Sequence, residues 1–289
     1  MIQKTTWDSR GDNQGFIKWF LGLATFLLGL TPLSAEAASP ARPILSGLKN
    51  PTAVAVGSDN RVYIATAGEF GKPGDGAVFV LEGAKAVPFA AGLDDPIALA
   101  GWGEWLYVAD QNRVWRLNRQ GKKEVYAAAD AFPGRQGTFL GLDVDEEGRL
   151  YVSASGLEGK DGAIYRIDPK GKVDVVTRDM PSSALKMPGR LAMDGYSFLL
   201  VVDPMTGLLL RLKLADGTTT KLADSLVAGG LAWDKFGRLF LSDAKSGRLL
   251  AIPRPGEKPV LLASGLHPAS GICVDPAGRF VLVPDTHAG

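Results

Sequence analysis

The side chain in this 289-residue sequence best placed to do chemistry is a cation at the head of an apolar run. Arg190 follows Met187-Pro-Gly and precedes Leu191-Ala192, a place where the neighbouring runs of similar pattern hold small or apolar residues. A guanidinium there can bind a carboxylate or phosphate bidentately, or it can cap the run by pairing with a loop acid such as Asp161. Arg135, Gln136 and Phe139 lead into another run of the same type and can complete a pocket with it. Two Gly-rich loops, Gly68 to Gly76 and Gly156 to Gly162, carry Glu, Lys and Asp in the same order, with Glu69 in the first and Asp161 in the second. They read either as a polar ligand rim or as solvated connectors.

Other chemistries find little support. The two histidines, His267 and His287, lack a third ligand at a helpful spacing and read as exposed loop residues. There is no G-x-S-x-G, no paired-cysteine motif and no phosphate-binding glycine loop that opens a helix. The single cysteine, Cys273, lies in an apolar run and reads as a buried, inert thiol. Asp110, Asp203, Asp243 and Asp285 each end an apolar run and read as turn formers rather than catalytic acids.

The elements that must hold these residues are repeats. Val227 to Asp243 reads strand, Asp-x-x-Gly turn, strand, and the same phrase recurs at Ala269 to Asp285 and at Leu140 to Ser153. A looser copy spans Thr52 to Ala65, and degenerate ones span Ile97 to Asp110 and Arg190 to Asp203. Each of the first five copies along the chain is followed by two more β-rich runs, for example Ala163 to Ile167 and Val173 to Val176. The first strands begin near Thr52, Ile97, Leu140, Arg190, Gly230 and Gly271, in steps of 40 to 50 residues. That period predicts an all-β, six-bladed propeller of four-stranded antiparallel blades. The last blade stops at Asp285-Thr-His-Ala-Gly289, before a third strand. The expectation is therefore an incomplete blade closed by an N-terminal strand, Pro43 to Leu48, pairing in parallel with Phe280 to Val283 or leaving a gap.

With the repeats laid out, the chain resembles the six-bladed propeller superfamily of NHL-repeat and gluconolactonase or regucalcin-like proteins, the latter most clearly in Gly230-Leu-Ala-Trp-Asp and Val283-Pro-Asp. The resemblance implies the fold and, for gluconolactonase-like members, a divalent cation on the axis held by carboxylate and amide oxygens. At the matching positions this sequence has Lys49, Gly229 and Ser270, so no metal and no other cofactor is expected.

Residues 1–37 read as a secretory signal peptide: a polar leader with Lys4, Arg10 and Lys18, an apolar run from Trp19 to Leu33, and Ala35-Glu-Ala37 as cleavage site. The propeller domain then spans 38–289, in the periplasm or outside the cell, with no stable membrane span after cleavage. The net charge of +1 is unchanged by removing the leader, which argues against a nucleic-acid surface. The sequence thus predicts a module that binds a small molecule or protein at the propeller mouth; the alternative is a divergent hydrolase of lactones or sugar-acid esters.

Overall fold

The computed structural model describes residues 2–6, 42–134, 137–157, 162–177, 185–224, 228–254, 256–267 and 271–285. The N-terminal part supplies two strands, β1 (Ile2–Thr6) and β2 (Arg42–Leu45). A first meander follows: β3 (Pro51–Val56), β4 (Val62–Thr66), β5 (Gly76–Glu82) and β6 (Lys85–Leu93). The second is β7 (Pro96–Trp102), β8 (Trp105–Asp110), β9 (Arg113–Leu117) and β10 (Lys123–Ala127). The third is β11 (Phe139–Val144), β12 (Leu150–Ala154), β13 (Ala163–Ile167) and β14 (Val173–Val175). The fourth is β15 (Leu191–Asp194), β16 (Phe198–Asp203), β17 (Leu208–Lys213) and β18 (Thr219–Ala223). The fifth is β19 (Ala228–Trp233), β20 (Leu239–Asp243), β21 (Arg248–Ile252) and β22 (Val260–Ala263), and β23 (Cys273–Val274) and β24 (Phe280–Pro284) end the chain. Among the described residues the only helix is one 3-10 turn, Ala129–Ala131. This is an all-β propeller of four-stranded antiparallel blades, as the repeat requires.

The second strands explain the repeat's apolar density. β4, β12 and β20 are buried along their whole length because a neighbouring sheet covers each face, and such strands read as near-continuous apolar runs. Fourth strands such as β18 and β22 lie at the rim and are mostly exposed or half-buried. Apolar clusters fill the spaces between successive sheets, for instance Leu200, Val202, Leu231 and Leu241 between the fourth and fifth. The Asp-x-x-Gly turns form for the reason their residues suggest. Asp145 Oδ1 accepts the amides of Glu147 and Arg149, its Oδ2 accepts Arg149 Nε at 2.6 Å, and Gly148 takes φ +79°. Asp234 with Arg238 repeats the arrangement.

The closing sheet corrects one expectation. Its order is β2-β1-β24-β23, and β1 is antiparallel to both neighbours, with Gln3 opposite Val283 and Lys4 opposite Arg42. The parallel contact expected between Pro43–Leu48 and Phe280–Val283 does not form, because Ile2–Thr6 lies between them. An antiparallel intermediary satisfies the open hydrogen-bonding edges of both β24 and β2, which direct parallel pairing of two short strands would do less well. The inserted strand comes from within the residues read as a leader.

The first strands of the sheets, β3, β7, β11, β15, β19 and β23, touch in cyclic order and surround an axial channel. Ala53 and Gly271 form a parallel bridge where the ring closes. We call the end at which these inner strands begin the mouth.

Candidate functional site: two charges in the axial channel

The channel encloses about 350 Å³, within the size range of small-molecule sites. Its walls are largely Ala, Val, Leu and Gly from the inner strands. Strand pairing assigns each wall residue a level, counted from the residue ending the second strand. One residue before that end lie Ala65, Ala109, Ser153, Val202 and Ser242, opposite Ala53, Ala98, Gly141, Arg190 and Gly230. Gly271, bridged to Ala53, completes this level. Five positions are therefore Ala or Gly, and the sixth is Arg190.

Two residues deeper the partners are Tyr63, Tyr107, Tyr151, Leu200, Phe240 and Leu282, opposite Ala55, Ala100, Asp143, Ala192, Ala232 and Cys273. Here five positions are Ala or Cys and one is Asp143. At each level the repeat's small residue is replaced once by a charge.

Arg190 is positioned by its neighbours on the third blade. Ser153 Oγ donates to the carbonyl of Gly189, which fixes the backbone just ahead of the arginine. A Cβ at Gly141 would stand 2.6 Å from that carbonyl and 3.1 Å from Arg190 Cα, so the close approach of the two inner strands needs glycine at 141. From this anchor the side chain reaches past the third blade, and Nη1 donates to the carbonyl of Ile97 on β7 at 2.7 Å. The side chain is half-buried in the channel, and the partial loss of water lowers its pKa to about 10, so it remains a cation at neutral pH. No carboxylate among the described residues pairs with it.

Asp143 faces the same channel. Its Oδ2 accepts the amide of Met193 at 2.6 Å, and the amide of Val144 is a second donor. Burial nevertheless dominates these bonds and pushes the carboxyl up to about 6. Arg190 extends sideways across the mouth while Asp143 is held lower by Met193, so the two opposite charges share a channel without forming an ion pair. Trp233 lies near the far end, with its indole Nε1 buried and without a hydrogen-bond partner. The same ring lines a second cavity of about 310 Å³ beside Asp194, Arg211 and Lys221.

The other residues singled out from the sequence fall elsewhere. Phe139 does not line the channel: it is fully buried, with its ring 4.8 Å from that of Phe132 in an edge-to-face contact, because it fills the space between the second and third blades. Glu69 is exposed on the first-blade loop, 3.7 Å from Lys49 Nζ and 3.8 Å from Lys72 Nζ, and is not part of the channel wall. Arg135, Gln136, Asp161, His287 and Ser270 lie outside the described residues. His267 is exposed, and its backbone amide donates to Asp285 Oδ2 at 3.1 Å.

The Asp residues at second-strand ends are buried and hold the mouth loops. Asp110 accepts the amides of Asp94 and Asp95, and Asp203 accepts those of Lys186 and Met187. Where the repeat lacks that Asp, at Thr66 and Ala154, the long loops of the first and third blades begin.

The channel does not suit the divalent cation that the family resemblance implies. Lys49 is an exposed cation, Gly229 carries no side chain, and the wall offers one carboxylate, already bonded to two amides, together with a guanidinium. Among the described residues no group of three or more His, Cys, Asp or Glu is arranged to hold a metal. No described helix is long and apolar enough to cross a membrane.

Asp143 and Trp233 were not singled out in the sequence; the departure at Asp143 shows once strand pairing has aligned the inner strands. Aligned inner strands read Ala53-Val-Ala55, Ala98-Leu-Ala100, Gly230-Leu-Ala232 and Gly271-Ile-Cys273, against Gly141-Leu-Asp143 and Arg190-Leu-Ala192. Comparison with profiles of known protein families and with curated proteins finds no match for this chain.

Proposed function

We propose that this chain is an exported, six-bladed propeller that binds a small anion in its axial channel, with Arg190 as the anion-binding residue. The observation that supports this reading is a half-buried guanidinium lining the channel, held across the mouth by one backbone carbonyl, at a level where the other five wall positions are Ala or Gly. A partly desolvated cation without an anionic partner weakens a fold, and its cost is offset when a ligand supplies the missing charge. The leader pattern of residues 1–37 supports export, and β2, β23 and β24, which lie outside the leader, are read as the part of the closing sixth blade that the exported protein keeps. The nearly neutral balance of charge fits a small ligand better than a nucleic acid.

Calorimetric titration with butyrate at low ionic strength tests the reading. The intact protein is expected to bind one equivalent, and Arg190→Ala to weaken binding about 10- to 100-fold, the worth of a hydrogen-bonded ion pair, without lowering the melting temperature. Equal binding by both proteins, or no binding of any small carboxylate or phosphate, contradicts it.

A further inference from the structure

Two charges of opposite sign in one small channel, neither in an ion pair among the described residues, are a stronger constraint on the ligand than either alone. Arg190 and Asp143 are on adjacent inner strands, and the pairing places Asp143 two residues below the level of Arg190, a step of about 7 Å along a strand. That step, together with the lateral reach of Arg190 to Ile97, keeps the two apart. One of the five guanidinium N–H donors is used by Ile97, and two amides occupy part of the acceptor capacity of Asp143. Each group thus retains capacity directed to the channel, and the wall between them is apolar, with Ala98, Ala100, Leu191 and Ala192. A simple anion would satisfy Arg190 and leave Asp143 facing like charge. A simple cation would do the reverse.

Resting on the anion-binding reading above, we propose that the channel ligand is a small zwitterion of amino-acid type, its carboxylate on Arg190 and its protonated amine on Asp143, with a short hydrocarbon spacer along the alanine wall. Arg190 gives affinity for the anionic end, and Asp143 distinguishes amino acids from plain carboxylic acids. A site built to accept hydrogen bonds from an amine discriminates strongly against a ligand that lacks it, because its polar group is then left unpaired.

The test is a titration series on the whole protein with γ-aminobutyrate, butyrate and butylamine, matched in chain length and differing in charge. The expected order is γ-aminobutyrate at least 10-fold tighter than butyrate, with butylamine weakest. Asp143→Asn keeps an acceptor for the Met193 amide and is expected to erase the preference for γ-aminobutyrate over butyrate while leaving butyrate binding the same or stronger. Arg190→Ala is expected to weaken binding of both about 10- to 100-fold. Butyrate binding as tightly as γ-aminobutyrate to the intact protein overturns the zwitterion proposal and leaves the anion site standing. Loss of neither preference nor affinity in the two variants overturns both. Circular dichroism melts of each variant establish that a lost signal is not a lost fold, and Arg190→Lys, which keeps the charge, is expected to recover part of the affinity for either carboxylate.

Discussion

Asp143 stands where the other inner strands place a small residue, and its carboxylate bonds the Met193 amide of the adjacent strand. The other five inner strands place Ala or Cys at its level, and its carboxyl is raised from the ordinary 3.8 to about 6 by burial. Between these two values the folded chain holds a proton that the unfolded chain has released, so stability falls as pH rises through the window of about 4 to 6. The ionised group then costs the fold something of the order of 2–3 kcal/mol at neutral pH. Asp143→Asn is therefore expected to melt higher than the parent at pH 7.5, and the difference is expected to vanish near pH 4. Thermal melts across this range check it; a variant less stable than the parent at pH 7.5 would mean that the charge is paired in the folded chain. Arg190 was legible in the sequence because a long cation at a strand head breaks the repeat visibly. Asp143 was not, since Leu-Asp-Val-Asp reads as the approach to an Asp-x-x-Gly turn, and only strand pairing separates the turn residue, Asp145, from the wall residue two positions earlier.

At the scale of elements, the strands of the first five blades follow from apolar runs and Asp-x-x-Gly turns, and the sequence places most of them within a residue or two. The third strand of the closing sheet was hidden for a different reason. Ile-Gln-Lys-Thr-Thr carries no apolar alternation, and its partners lie about 40 and about 280 residues away in sequence, so no local pattern reveals the pairing. If residues 1–37 are removed on export, β1 goes with them, and β24 and β2 are left without the strand between them. Hydrogen exchange measured on residues 38–289 is then expected to be at least 10-fold faster at Phe280–Pro284 than in the full chain, with β20 unaffected. Equal protection in the two chains would show that another segment, or β2 itself, takes the place of β1.

The whole molecule joins these two scales. The sheets pack face to face in a ring whose inner strands converge, and convergence is possible because the wall residues are small. Two departures from that rule, on neighbouring blades and at levels two residues apart, concentrate in one cavity the charge that the rest of the core excludes. The ring also sets the direction of approach, since the buried Asp residues at second-strand ends fix loops around the mouth, and Arg190 lies across that mouth above Asp143. The most direct measurement is a crystal structure determined with 4-bromobenzoate, an unreactive aryl bromide whose bromine marks the ligand by its anomalous signal. One peak is expected on the axis, with the carboxylate within hydrogen-bonding distance of Arg190 and the bromine toward the level of Asp143. A peak only at the Gly68 to Gly76 loop or in the cavity beside Arg211, with the axis empty, would contradict it.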